Sequence, residues 1–285
     1  MGRLLKLQLF RAVKDKGTIV FAIVTLALGV LSTLFSYVIM ENSGGMGGMM
    51  DEMFATTTLV NSTFSLTSTP LLLLIIMGVV LLYKESGWGT IRNQVVAGYS
   101  KYRIYFANFF AMLIVTFTIL VAYQLVVFGF GSILGFGSGV SNSADFWNFA
   151  RIYGLNLLVF IAEIAFMTFI SMLFQNIIAP VFLVIILPVF VSTILMTLIP
   201  VFVLFSEDGT LIVAGFEYII WYQNTALTIS GFSYELINSL GSLLDIKVYD
   251  TESVAFVLKT IITNVGLSAI FLGLGSYLFA RKDLK

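Results

Sequence analysis

The chain alternates long apolar stretches with short polar segments. Each of the six apolar stretches could cross about 30 Å of hydrocarbon as a helix that rises about 1.5 Å per residue. The strands of a membrane barrel would instead show shorter segments with a two-residue period. The pattern therefore predicts an all-α membrane protein in which residues 1–285 form one transmembrane domain. The predicted spans are Thr18–Ile39, Ser62–Tyr83, Ile104–Phe130, Ala150–Phe174, Ile177–Phe205 and Val254–Ala280.

Prolines mark two of these spans. The fifth is over-long and contains Pro180, Pro188 and Pro200, so we expect a kink and an end to its membrane part near Pro200. Pro70 lies inside the second predicted span. All four prolines are thus expected at membrane depth, where neighbouring helices must satisfy the freed carbonyls.

A polar segment separates the second and third predicted spans. This segment, the polar loop, covers Lys84–Arg103 and reads KESGWGTIRNQVVAGYSKYR. Thr90 can cap a two-turn helix over Ile91–Ala97, and Gly98 stands where a left-handed stop would follow. Ser100 can then cap the next span. The sequence therefore predicts a short, well-bounded helix held at the membrane surface on both sides.

Charge predicts the orientation of the chain. Hydrophobic residues make up 59% of it, charged residues 11%, and the net charge is zero. Twelve of the 15 Lys and Arg residues lie in the N-terminal segment, the polar loop or the C-terminal segment, whereas most acidic residues lie in the other loops. By the positive-inside rule, both termini and the polar loop are predicted to be cytoplasmic. The expected location is a bacterial cytoplasmic membrane.

The N-terminal segment, residues 1–17, combines leucines with interleaved bases. This pattern is typical of an amphipathic helix on the inner leaflet. A basic tail that only sets topology is the alternative. Charges spread through the segment, and the length of the following apolar run, exclude a cleaved signal peptide.

Two outer loops carry further hypotheses. The first contains Met46, Met49, Met50 and Met53, whose thioethers could bind a soft ion such as Cu(I), or could simply make apolar contacts. The loop before the last span contains apolar segments at Leu211–Tyr222 and Phe232–Leu244. These two segments predict either short helices that cap the outer face or a re-entrant hairpin, and both interpretations stay open.

The residue types that the chain lacks exclude several kinds of catalytic and metal site. The chain has no cysteine and no histidine, which excludes disulfides, thiolate or imidazole metal sites and serine–histidine catalysis. It also lacks the G-x-x-x-x-G-K-[ST] phosphate-binding loop and any basic, aromatic-rich face for nucleic acid. We therefore expect neither an enzyme nor a resident cofactor.

Three polar residues at membrane depth are further candidates. Glu163 lies in the middle of the fourth predicted span, and Lys259 and Asn264 lie in the sixth. A charged side chain at the bilayer centre costs about 2.5–3.5 kcal/mol or more, so it needs a role. That role is either an interhelical hydrogen bond that holds the bundle together or a polar point on a transport path.

The polar loop resembles a motif of the permease subunits of type-2 ABC exporters. That family carries E-x-x-x-G-T-[IL]-[RK]-x-x-[LV]-x-x-G-x-[ST]-[RK] between its second and third spans. The chain keeps every spacing, with Glu85, Gly89, Thr90, Ile91, Arg92, Val95, Gly98, Ser100 and Lys101. The resemblance covers about twenty residues in motif and the whole chain in layout.

The resemblance implies that the short helix couples the chain to a separate ATPase subunit, present in two copies, which would bind ATP and Mg. A second permease copy, identical or paralogous, would complete the path for an amphipathic peptide or lipid-like cargo. Ile91 and Val95 would be apolar knobs in the ATPase groove, Arg92 a salt-bridge contact, and Glu85 an ion-pair partner or a brace against the N-terminal helix. Gly89 and Gly98 would permit the sharp turns.

Two other functions remain open from the sequence. One is a channel or proton-coupled carrier that uses Glu163 and Lys259, and the other is a non-transporting scaffold whose polar loop recruits a cytoplasmic partner.

Overall fold

The computed structural model describes residues 2–42, 55–64, 68–87, 90–140, 142–174, 176–186 and 254–282. Within these ranges 89% of the residues are helical and none lies in a strand, which agrees with the predicted all-α class. The Met-rich loop, the segments Leu211–Tyr222 and Phe232–Leu244, and the fifth predicted span beyond residue 186 lie outside the described residues.

The helices follow the order of the predicted spans. They are α1 (Gly2–Lys14), α2 (Lys16–Asn42), α3 (Thr56–Ser62), α4 (Thr69–Gly87), α5 (Thr90–Val96), α6 (Lys101–Ile133), α7 (Ser143–Leu173), α8 (Ile178–Val181, continued by a π-helical turn over Phe182–Ile186) and α9 (Val254–Arg281).

Helix α6 forms the centre of the bundle. It packs against α1, α2, α3, α4, α7 and α9, and its buried side chains recur every three or four residues along much of its length. Residues such as Ile104, Met112 and Leu120 belong to one continuous apolar core. The core thus follows α6 from Ile104 to Leu120, and the other helices are arranged around it.

Four of the described helices are long and apolar enough to cross a membrane: Lys16–Asn42, Lys101–Ile133, Asp145–Leu173 and Thr260–Arg281. Helices α4 and α5, which meet at a 53° bend, count as a fifth if the pair is taken as one broken span. In α7, 72% of the apolar window is buried, against 22% in α2 and 17% in α9. Helix α7 is therefore interior, and α2 and α9 turn most of their apolar side chains outward.

The second predicted span starts in the wrong place. Ser62 is the last residue of the short helix α3, and the long helix α4 begins only at Thr69. Pro70 is therefore the second residue of a helix, where its missing N–H has no intrahelical partner to lose. The helix also runs on to Gly87, so the first part of the polar loop, including Lys84 and Glu85, is helical.

The fourth predicted span begins later than the helix. Helix α7 starts at Ser143, because Asn142 and Asp145 form a capping box: the Asn142 side chain accepts from the Asp145 N–H, and the Asp145 side chain accepts from the Asn142 N–H. Two N–H groups that helix geometry leaves unpaired are thereby satisfied. The polar residues before Ala150 thus belong to the helix.

The ends of the bundle differ in what they bring together. Side chains of Lys84, Lys101 and Lys282 connect the start of α2, the end of α4, the start of α6 and the ends of α7 and α9. This is the polar-loop end. The end of α7 and the start of α9 consequently lie at opposite ends of the bundle, as the predicted fifth span between them requires.

Candidate functional site

The short helix predicted in the polar loop is present as α5 (Thr90–Val96). It begins at Thr90, one residue earlier than predicted, and Gly98 follows it with a φ of 88°. The Gly98 N–H donates to the Val95 carbonyl (3.0 Å), and the Tyr99 N–H donates to the Gln94 carbonyl (3.1 Å). These two bonds form a Schellman motif, in which glycine adopts the left-handed conformation without strain. The predicted stop is confirmed.

One face of α5 is an internal anchor. Ile91 is only 2% exposed and belongs to the apolar core, Gln94 is buried, and Val95 packs against the same core. Ile91 and Val95 were expected as knobs for a partner's groove. For Ile91 this expectation is wrong, because its side chain is already enclosed by its own chain, and Val95 is partly enclosed.

The opposite face of α5 is open. Arg92, Asn93 and Ala97 are exposed, and Val96 is 82% exposed. Helix α5 packs mainly against α4 and α6, and the exposure of these four residues shows that the described part of the chain leaves this face uncovered. Arg92, Asn93, Val96 and Ala97 together form the α5 outer face, in which an aliphatic side chain lies beside a cation and an amide.

A hydrogen bond braces the end of α4 against α1. Gln8, buried in α1, donates from Nε2 to Oε2 of Glu85 at 2.9 Å. Arg11 adds favourable charge to the Glu85 carboxylate, and Asn108 of α6 lies beside it. Leu4 and Ala12 flank Gln8 at four-residue spacing and are also buried, so this face of α1 packs onto the bundle. Glu85 therefore connects the end of α4 to the N-terminal helix α1.

An ion pair makes a second connection nearby. Lys84 Nζ donates to both carboxylate oxygens of Asp15, at 2.8 and 2.9 Å, and Asp15 also accepts from the Thr18 N–H at the start of α2. Burial raises the pKa of Asp15, but the bonds from Lys84 and from the backbone outweigh it, so the pKa lies below its usual value. The turn between α1 and α2 is thus linked to the end of α4.

Two lysines at the polar-loop end connect α6 to α9 and α9 to α7. Lys101 Nζ donates to the carbonyls of Ala280 (3.1 Å) and Lys282 (2.6 Å) at the end of α9. Lys282 Nζ in turn donates to the carbonyls of Met172 and Leu173 at the end of α7, each at 3.0 Å. Helix C-termini carry unpaired carbonyls and partial negative charge, so a cation is favourable there. Burial lowers the pKa of Lys282.

The remaining polar-loop residues have simpler outcomes. Gly89 lies outside the described residues. Ser100 occupies the N-cap position of α6 with extended backbone, but its side chain makes no capping hydrogen bond. Ser100 therefore has the backbone conformation of the predicted N-cap but lacks its side-chain hydrogen bond.

The intramembrane candidates are separate from this site. Glu163 in α7 is buried, and Asn264 in α9 is buried and donates from Nδ2 to the Thr260 carbonyl at 2.8 Å. These two helices pack against each other more extensively than any other described pair. Lys259 lies on α9, and its side chain falls outside the described residues.

Two features of the polar-loop end were missed from the sequence. The exposed Val96 could have been found by placing Ile91, Gln94 and Val95 on one helix face, since residues three and four apart share a face. The lysine bonds to the ends of α7 and α9 carry no comparable signal, because they join residues more than 100 positions apart.

Comparison with known proteins adds no relative. No protein-family model, no curated protein and no solved structure matches this chain.

Proposed function

We propose that the chain is the permease subunit of an ATP-driven type-2 ABC exporter. The observation that carries the proposal is the α5 outer face, a short exposed surface on a helix whose other face is buried in the bundle. A partner that pushed on such a helix would move the bundle behind it, because Ile91 leaves α5 little freedom to shift alone.

The connections around α5 support a mechanical role. Force applied to the α5 outer face reaches α4 and α6 through direct packing. The Gln8–Glu85 and Asp15–Lys84 bonds extend it to α1 and α2, and the lysine bonds extend it to α7 and α9. In this proposal the polar-loop end has two arrangements, and the nucleotide state of the partner determines which of them is more populated.

The partner in this proposal is an ATPase subunit in two copies, which binds ATP and Mg, since the chain has no phosphate-binding loop of its own. The outward apolar faces of α2 and α9 suit membrane lipid and a second permease copy. The cargo is an amphipathic peptide or lipid-like compound, and the membrane is a bacterial cytoplasmic membrane with both termini inside.

A second candidate function is a proton-coupled carrier. The observation in its favour is the burial of Glu163 in the most enclosed helix of the described chain. Glu163→Gln would abolish transport in such a carrier and leave ATP without effect. Transport by Glu163→Gln that still requires ATP would exclude it.

The test of the permease proposal is a mild-detergent pull-down of the tagged chain from its native membranes. The variant is Arg92→Glu with Val96→Asp. The matched control is Ile133→Asp, because Ile133 is 80% exposed at the far end of α6 whereas Val96 is 82% exposed on α5. Neither change disturbs a buried side chain.

We expect an ATP-hydrolysing subunit to co-elute with the unaltered chain and with Ile133→Asp, and to fall at least about tenfold with the double variant, because an unpaired charge is placed in the contact. Co-elution that is equal in all three would show that α5 is not the docking helix. A chain that elutes alone in every case would refute the permease proposal and favour the carrier.

A further inference from the structure

A cavity lies near the end of the bundle remote from the polar loop. It has a volume of about 450 Å³ and is lined by residues of α2, α3, the segment that follows α3, the first turn of α4, and α6. Ser32 stands 16 residues after the start of α2, or about 24 Å along the helix, which places the cavity well away from α5. Its size falls in the range of about 300–1,000 Å³ that is typical of small-molecule sites.

The α2 wall of the cavity reaches the outer surface of the bundle. Leu31 and Phe35 belong to its α2 wall, and they are also 59% and 68% exposed on the outer surface of that helix. In a membrane this surface faces lipid, since α2 is one of the helices long and apolar enough to span it. A ligand would therefore enter from the hydrocarbon region rather than through the bundle.

The walls offer hydrogen-bond acceptors. The hydroxyls of Thr33, Thr63 and Ser68 donate to the carbonyls of Gly29 (2.8 Å), Val60 (2.7 Å) and Thr63 (2.8 Å), respectively. A hydroxyl whose proton is used in this way keeps oxygen lone pairs that can accept, and Thr63 already accepts through one of them from Gln124 Nε2 at 2.8 Å. Ser32 follows the same pattern through the Gly29 carbonyl and also bonds the Tyr123 hydroxyl. The polar side of the cavity is thus better suited to a donor than to an acceptor.

The described wall of the cavity is also uncharged. Among the described lining residues none is acidic or basic, and those without a hydroxyl group are leucine, valine, phenylalanine and proline. An ionised head group would lose its hydration there without gaining a counter-charge. The ligand that fits combines an apolar chain with neutral hydroxyl groups.

We propose that this cavity binds an uncharged, hydroxyl-bearing amphipath of the monoacylglycerol type, taken up laterally from the bilayer. The acyl chain lies along Leu31 and Phe35, and the glycerol hydroxyls donate to the serine and threonine oxygens. This site requires neither ATP nor the ATPase subunit, so it stands independently of the proposed function.

The test uses the full chain in phosphatidylcholine nanodiscs and a monoacylglycerol with a diazirine in its acyl chain. The reference probe is the methyl ester of the same acid, which has no hydrogen-bond donor. We expect at least about fivefold stronger labelling by the monoacylglycerol, located on α2 and α6, and competition by unlabelled monoacylglycerol. Equal labelling by both probes, or labelling that does not compete, would overturn the proposal.

Variants sharpen the same experiment. Ser36→Trp fills the cavity, and Thr118→Trp is the matched control, because Thr118 is an exposed hydroxyl residue of α6 outside the cavity. Labelling should fall at least about fivefold in Ser36→Trp and stay unchanged in Thr118→Trp. Unchanged labelling in a folded Ser36→Trp variant would overturn the proposal. If that variant does not fold, the competition experiment on the unaltered chain tests the proposal instead.

Discussion

The two ends of the bundle are built in opposite ways. At the polar-loop end, long charged or amide side chains reach across helices, as Gln8–Glu85, Lys84–Asp15 and Lys282 to the end of α7 illustrate. At the opposite end, short hydroxyl side chains bond mostly to their own helices, and a cavity of about 450 Å³ remains between them. Cross-helix bonds occur at this end too, from Gln124 to Thr63 and from Tyr153 to Gln124, but they leave the cavity open.

A matched pair of helix ends makes the contrast sharper. Helix α6 ends in a Schellman motif like that of α5: Gly135 has a φ of 84°, its N–H donates to Ser132, and the Phe136 N–H donates to Gly131. The local backbone solution is therefore the same at both ends. The ends differ in the chemistry of their long-range side-chain bonds, which join lysine to a carboxylate at the polar-loop end and neutral amide and hydroxyl groups at the other.

The largest expected effect comes from the buried anchor of α5. Ile91→Ala should destabilise the chain by about 2–5 kcal/mol, because it leaves a cavity in a packed core. Ile133→Ala, at an exposed position, should stay within about 0.5 kcal/mol. Thermal unfolding in detergent measures both. Equal effects would mean that α5 is not anchored as described.

The next effect concerns the brace on α1. Glu85→Ala leaves the buried Gln8 donor without its partner, which should cost about 1–3 kcal/mol, whereas Glu85→Gln keeps an acceptor and should cost less. Trypsin cleavage within α1, at Lys6 or Arg11, should accelerate in Glu85→Ala. The control is Gln124→Ala, which breaks the bonds to Thr63 and Tyr153 at the other end. If Gln124→Ala accelerates the same cleavage, the two ends are coupled.

A smaller effect is expected at the two left-handed glycines. Gly98→Ala and Gly135→Ala should each cost about 1–2 kcal/mol, because a Cβ is unfavourable in this backbone conformation. The stability changes should be similar, yet only Gly98→Ala should weaken co-elution of the ATPase subunit. Loss of co-elution in Gly135→Ala would remove the functional distinction between the ends.

The smallest effect belongs to the partly exposed ion pair. Asp15→Asn should cost less than about 1 kcal/mol. Because the folded pKa of Asp15 lies below its usual 3.8, the contribution is present above that value and is lost as the pH falls through the folded pKa. Unfolding temperatures of the two proteins should therefore differ at pH 6 and converge below pH 3.8. If the two unfolding temperatures still differ at low pH, another interaction is responsible for the difference.

The sequence predicted the long helices well where apolar runs end in clear polar signals. The turn at Gly98 and the short helix before it followed from capping chemistry. The start of α4 was missed because Pro70 was placed in a helix interior, although proline is favoured in a first turn. The sequence did contain a boundary signal, because six of the eight residues from Ser62 to Thr69 are serine or threonine and the apolar run begins after Pro70.

The position of the short helix α5 was predicted from the sequence, but the face that it turns to the bundle was not. Motif spacing identified the polar loop, yet the roles of Ile91 and Val96 depend on which face of α5 meets the bundle. That choice is made by tertiary packing against α4 and α6, which a local pattern does not specify. The cavity was missed for a similar reason, since its walls come from four separate segments.

The bonds from Lys101 have a consequence for biosynthesis. Their acceptors, the carbonyls of Ala280 and Lys282, lie 179 and 181 residues further along the chain. At a synthesis rate of about 5–20 residues per second, Lys101 waits roughly 9–36 s for them to be made. The end of the bundle that bears the α5 outer face is therefore completed only after α9 has been inserted. An incomplete chain on the ribosome therefore presents α5 without its finished support.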